Sequence, residues 1–158
     1  MINFEKEKKI KFFLNSLSKV QPDHGKDIGL IVVEEETVGD FKKMVSNSNL
    51  TTVFDLDPDI DVTNFLEDLS KSLIKENTVF VRVHEYLSPT IYNQIYLISK
   101  SARMHIFAPN QDKVINIPNK AMLILVFSED ELEKLNYKDL LNIVGPVLRL
   151  KKQYASTI

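Results

Sequence analysis

Two kinds of hydrophobic pattern alternate along this chain. Near the N-terminus Ile10, Phe13, Leu14 and Leu17 recur at i, i+3, i+4 and i+7, which places them on one face of a helix over roughly residues 3–19. After a turn at Pro22-Asp23-His24-Gly25, Leu30-Ile31-Val32-Val33 is a short, wholly apolar run, the mark of a strand covered on both faces. The alternation then repeats. A helix is expected over 39–46, a strand at 51–54, a helix at 62–74 and a strand at 79–83. Ser88-Pro89 reads as a helix start, with serine as N-cap and proline at the first helical position, and Ile91, Ile95 and Ile98 form the buried stripe of that helix. Residues 103–107 and 114–117 are short strands flanking Pro109-Asn110-Gln111-Asp112, which predicts a hairpin. A buried strand at 122–127, helices near 129–135 and 138–143, and a last strand at 147–150 complete the pattern. Strands alternating with helices predict parallel βαβ units in an open three-layer α/β sandwich with a mostly parallel five-stranded sheet. The 158 residues suit one domain, divided into an N-terminal helix and turn (1–27), a core (28–150) and a basic tail (151–158).

Composition narrows the chemistry. A net charge of −2 gives no global basic field for nucleic acid. The absence of cysteine excludes disulfides, thiolate zinc sites and a cysteine nucleophile. Four glycines are few for a protein that must wrap backbone around a phosphate. Apolar runs such as 121–127 are too short to cross a bilayer, and Met1-Ile2-Asn3-Phe4-Glu5-Lys6 lacks the layout of a signal peptide. The expectation is a cytoplasmic protein without membrane association.

Asp55-Leu56-Asp57-Pro58-Asp59-Ile60-Asp61 has the look of a metal loop. An EF-hand count from Asp57 puts Val62 where glycine is needed and Asp68 at the last ligand position, so the run reads as a turn with Asx capping of the next helix. His24, His84 and His105 show no ligand spacing, and no metal centre is expected.

From Ile28 to Leu150 the order of parts resembles the α/β core of AAA+ ATPases, in the branch with a hairpin before the sensor 1 strand. That branch includes MoxR-type ATPases, magnesium chelatases and minichromosome maintenance helicases. The stretch Val79-Phe80-Val81-Arg82-Val83-His84-Glu85-Tyr86-Leu87-Ser88-Pro89 carries most of the likeness. In the family an apolar strand ends in Asp-Glu before such a helix. Here His84 stands at the aspartate that organises magnesium, an ion imidazole binds poorly, while Glu85 keeps the glutamate.

The resemblance also implies a phosphate loop after the first strand, where the chain reads Glu34-Glu35-Glu36-Thr37-Val38-Gly39-Asp40-Phe41. Aligned on Gly39, Glu34 replaces the first glycine, Asp40 the lysine and Phe41 the hydroxyl residue. A carboxylate about 5 Å from a phosphate costs on the order of 1–3 kcal/mol per pair, and several such pairs would cancel a micromolar affinity. Ser128 falls at the sensor 1 position, Asn142 replaces the arginine finger, and no lid domain is expected. The resemblance therefore implies a core without catalytic residues or a nucleotide cofactor, which binds another protein or itself. An alternative is a replication-linked nucleic-acid-binding accessory that uses Arg103 and Lys113 on the hairpin with Arg149, Lys151 and Lys152 at the end. A further alternative is an enzyme of another class, with Glu34, Glu35, Asp40, His84 and Glu85 gathered at the strand C-termini.

Overall fold

The apolar runs become the strands of one sheet, the three central ones covered on both faces and the two edge strands partly exposed. The computed structural model describes residues 4–19, 25–33, 51–84, 87–108, 111–134, 139–140 and 142–150. In chain order the elements are α1 (Phe4–Lys19), β1 (Ile28–Val33), β2 (Thr51–Leu56), α2 (Val62–Ile74), β3 (Thr78–Val83), α3 (Pro89–Ser101), β4 (Arg103–Ala108), β5 (Gln111–Asn116), β6 (Met122–Ser128), α4 (Glu129–Lys134) and β7 (Val144–Leu150). The expected helix at 39–46 and the tail from 151 onward lie outside the described residues.

The five-stranded sheet is parallel in every pairing and runs β2-β3-β6-β1-β7. The strand that follows the hairpin, β6, is thus inserted between β3 and β1. On one face Leu30, Val32, Val79, Val81, Leu123, Leu125 and Phe127 pack with α2 and α3 through Phe65, Leu69, Ile91, Ile95 and Ile98. On the other, Ile31, Val33, Phe80, Ile124 and Val126 pack with Ile10, Phe13 and Leu17 of α1. Each fully buried aliphatic or Phe side chain contributes about 1.5–3 kcal/mol, so this two-sided core is the main source of stability. Gly29 lets α1 sit close, since a Cβ there would lie 2.9 Å from Leu17 Cδ1 and 3.0 Å from Phe13 Cε2.

The expected caps are present. Asp61 accepts the Asn64 amide at 3.1 Å, and Ser88 accepts that of Ile91 at 3.3 Å with Pro89 in the first turn. Several boundaries differ, and β2 runs on through Asp55 and Leu56, two residues that the sequence reading assigns to a turn. β1 begins at Ile28, because Gly29 fits within a strand that a helix approaches. β5 begins at Gln111, so Gln111 and Asp112 pair with Ala108 and Phe107 rather than forming the turn. β7 begins at Val144 and contains Gly145 and Pro146, with a register shift against Ile28 and Leu30; a proline is tolerated there because β7 is an edge strand. The hairpin β4–β5 joins the α2–α3 layer through buried Met104 and the half-buried Ile115, and the Gln94 side chain accepts the His105 amide at 2.7 Å.

Candidate functional site at the C-terminal edge of the sheet

Parallel strands deliver all their C-terminal ends to one edge, the place where open α/β sheets carry their chemistry. Register aligns Asp55 with Arg82 and Leu56 with Val83, and the His84 amide donates to the Leu56 carbonyl at 3.2 Å, carrying the β2–β3 ladder one residue further. Side chains alternate along a strand. Phe80 belongs to the α1-side cluster and Val53 packs against it, so Asp55, Arg82 and His84 project from that same face of the sheet.

Arg82 is buried within this strand. Its guanidinium grips the Glu131 carboxylate with both terminal nitrogens, at 3.0 and 2.9 Å, and also donates to the Val83 carbonyl at 2.6 Å, while its Nε is buried with no hydrogen-bond partner. Glu131 lies in the first turn of α4, and its amide donates to the Ser128 hydroxyl at 3.2 Å. Ser128-Glu129-Asp130-Glu131 is therefore a helix start of the Ser-x-x-Glu kind. Burial works to raise the pKa of Glu131, but the hydrogen bonds and charge of Arg82, helped by Ser128 and nearby His84, outweigh it and hold the carboxyl below its ordinary value.

Beside this pair, His84 Nε2 is hydrogen-bonded to Asp55 Oδ1. One ligand atom from each of Asp55, Asp57 and His84 lies within 4.8 Å of the other two. Two carboxylates and an imidazole are thus held together at the solvent-facing end of the β2–β3 pair.

The other residues singled out in the sequence separate. Asn142 follows the helical residues 139–140, and its backbone amide donates to the Asp139 carbonyl at 3.3 Å, the same carbonyl to which the Tyr92 phenol donates at 2.7 Å. Burial, with the charge of Asp139, pushes the Tyr92 pKa up. Arg149 pairs with Glu129 at 3.3 Å. Arg103 and Lys113 are both exposed, but Lys113 stands opposite Ile106 and Arg103 opposite Asn116, three pairs apart and on opposite faces of the hairpin. Asp112, opposite Phe107, shares the face of Arg103. Glu34, Glu35, Gly39, Asp40, Phe41, Glu85, Lys151 and Lys152 lie outside the described residues.

Sequence reading missed the Arg82–Glu131 pair and the Asp55–Asp57–His84 group. A lone arginine inside an apolar strand was a signal for the first, because a buried guanidinium requires a carboxylate. Ser128 followed by Glu131 was a signal for the helix cap. No family model and no curated protein matches this chain. Among the described residues no helix is long and apolar enough to cross a membrane.

Proposed function

We propose that this chain is a non-catalytic, AAA+-like module that works by binding a partner protein or another copy of itself. The observation that carries this reading is the commitment of Arg82 and Ser128 to Glu131. Phosphoryl transfer needs positive or polar groups presented to the γ-phosphate. Here the buried cation at the strand ends is neutralised by a carboxylate, and the hydroxyl at the sensor position caps α4. His84, at the metal aspartate position, is hydrogen-bonded to Asp55.

The layout supports the family half of the proposal. A nucleotide site of this type needs the phosphate-loop strand, the metal strand and the sensor strand side by side, and β1, β6 and β3 are neighbours with the hairpin immediately before β6. The interaction half draws on α1. Phe12 is 75% exposed among exposed Lys8, Lys9 and Lys11. Aromatic side chains, phenylalanine among them, are enriched at the cores of protein interfaces.

The test has two arms. Titration with ATP and Mg²⁺ is expected to show no saturable binding, and micromolar affinity would overturn the non-catalytic reading. Light scattering after gel filtration, with a pull-down from its own cells, is expected to show self-association or a retained partner, weakened by Phe12→Ser. A protein that stays monomeric and retains nothing would overturn the interaction reading.

A further inference from the structure

We propose that Asp55, Asp57 and His84 form a binding site for a divalent transition-metal ion of the zinc type, independent of any nucleotide function. Chain register builds the site. Asp55 and His84 lie on one face of adjacent parallel strands, the ladder continues through the His84 amide, and Asp57 follows β2 at the same edge. Ligand atoms of the group fall within 4.8 Å of one another. Ligands of a tetrahedral ion with bonds of about 2.1 Å stand about 3.4 Å apart, so the set closes when the exposed Asp55 and Asp57 side chains rotate and the His84–Asp55 hydrogen bond opens to admit the ion.

Charge points the same way. Arg82 faces Asp55 across the β2–β3 pair, yet its terminal nitrogens go to Glu131 and to the Val83 carbonyl. Asp55 is left with His84 as its hydrogen-bond partner. Two carboxylates within a few ångströms repel each other, and a bound dication relieves that repulsion. The donor set selects the ion. Imidazole with carboxylates suits zinc, cobalt or nickel, whereas magnesium prefers oxygen ligands alone. Asp55 and Asp57 are exposed, which leaves further coordination positions to water or to an oxygen ligand from a partner.

The experiment is a titration of the full chain with Zn²⁺ by calorimetry, and with Co²⁺ by visible absorption. The expected result is one saturable site, with Co²⁺ d–d bands, and with the His84 imidazole locked by NMR in the tautomer that leaves Nε2 free to ligate. His84→Ala is expected to weaken binding about tenfold or more, since even outer-sphere partners of metal ligands contribute that much. Asp57→Asn, an exposed change that leaves the core intact, weakens it as well, while His105→Ala does not. Mg²⁺ in excess does not displace the ion. No saturable binding at submillimolar Zn²⁺, or binding unchanged in both His84→Ala and Asp57→Asn, would overturn the proposal.

Discussion

The two ends of the parallel sheet are built from different materials. At the end where the strands begin, most of the joining bonds run from backbone to backbone. The Lys26 amide donates to Ile98 O at 3.1 Å, Met122 to Asn77 O at 3.3 Å and Ile117 to Ala102 O at 2.8 Å. The Lys26 ammonium reaches the Asn119 carbonyl, and burial lowers its pKa against the opposing charge of Asp27. At the end where the strands finish, beside the backbone bond from the His84 amide to Leu56 O, side chains do most of the joining: Arg82 with Glu131, Ser128 with the Glu131 amide, His84 with Asp55, Arg149 with Glu129. A backbone seam leaves no room for added atoms. A side-chain seam can be rewired by substitution, and this is the end where binding chemistry can arise without rebuilding the fold.

The largest effect is therefore expected at the backbone seam. A Cβ on Gly25 would lie 2.0 Å from Ser99 O and within 2.8 Å of two backbone carbons of α3. No described glycine has a positive φ, so space and not dihedral freedom requires the glycine. Gly25→Ala should cost about 3 kcal/mol or more, lowering Tm by roughly 6–12 °C, as thermal unfolding followed by circular dichroism would measure. A loss below 1 kcal/mol would mean the seam yields as easily as the opposite edge.

Next comes the ion pair. Glu131→Ala leaves the buried Arg82 guanidinium without its carboxylate, and the Arg82 and Glu131 side chains are only 6% and 20% exposed. The expected cost is about 2–4 kcal/mol, somewhat below that of a fully buried pair because Glu131 keeps some contact with water. Replacing both residues by methionine should restore most of it. The pair also has a pH signature. Its carboxyl pKa is lower folded than unfolded, so the contribution is complete above the ordinary value of 4.5 and disappears as pH falls through the folded value. Denaturant titrations across that range should show a steeper acid loss in the wild type than in Glu131→Gln. Equal slopes would mean that Arg82 does not hold the carboxylate.

Local patterns made much of the fold readable, and long-range pairings did not. The apolar runs of β1 and β6, the Ser88-Pro89 start and the Asp61 cap depend on residues within a few positions of each other. Periodicity reports how many strands exist and which are covered on both faces, but not which strand stands beside which. The insertion of β6 between β3 and β1 had to come from the structure. The site suffered in the same way. Arg82 and Glu131 are 49 residues apart, and Asp55 and His84 are 29 apart. Spacing rules developed for single loops or helices do not reach that far. Ser128 is an intermediate case: its position at a strand end suggested a sensor, while the glutamate three residues later already carried the competing signal of a helix cap.

Ser128 gives the smallest and most discriminating test. If its hydroxyl serves the α4 amides alone, Ser128→Ala should cost about 1 kcal/mol, the usual value for a lost N-cap, and Ser128→Thr should recover most of it. The effect should be smaller than that of Glu131→Ala, because Arg82 retains its carboxylate when only the cap is removed. Urea denaturation of the two variants measures both. A loss as large as that of Glu131→Ala would mean that Ser128 is needed to aim the carboxylate at Arg82. Cap and ion pair would then be one unit, and the double variant would lose little more than either alone. Additive losses would instead make the C-terminal seam a set of separable side-chain contacts, unlike the backbone seam at Gly25.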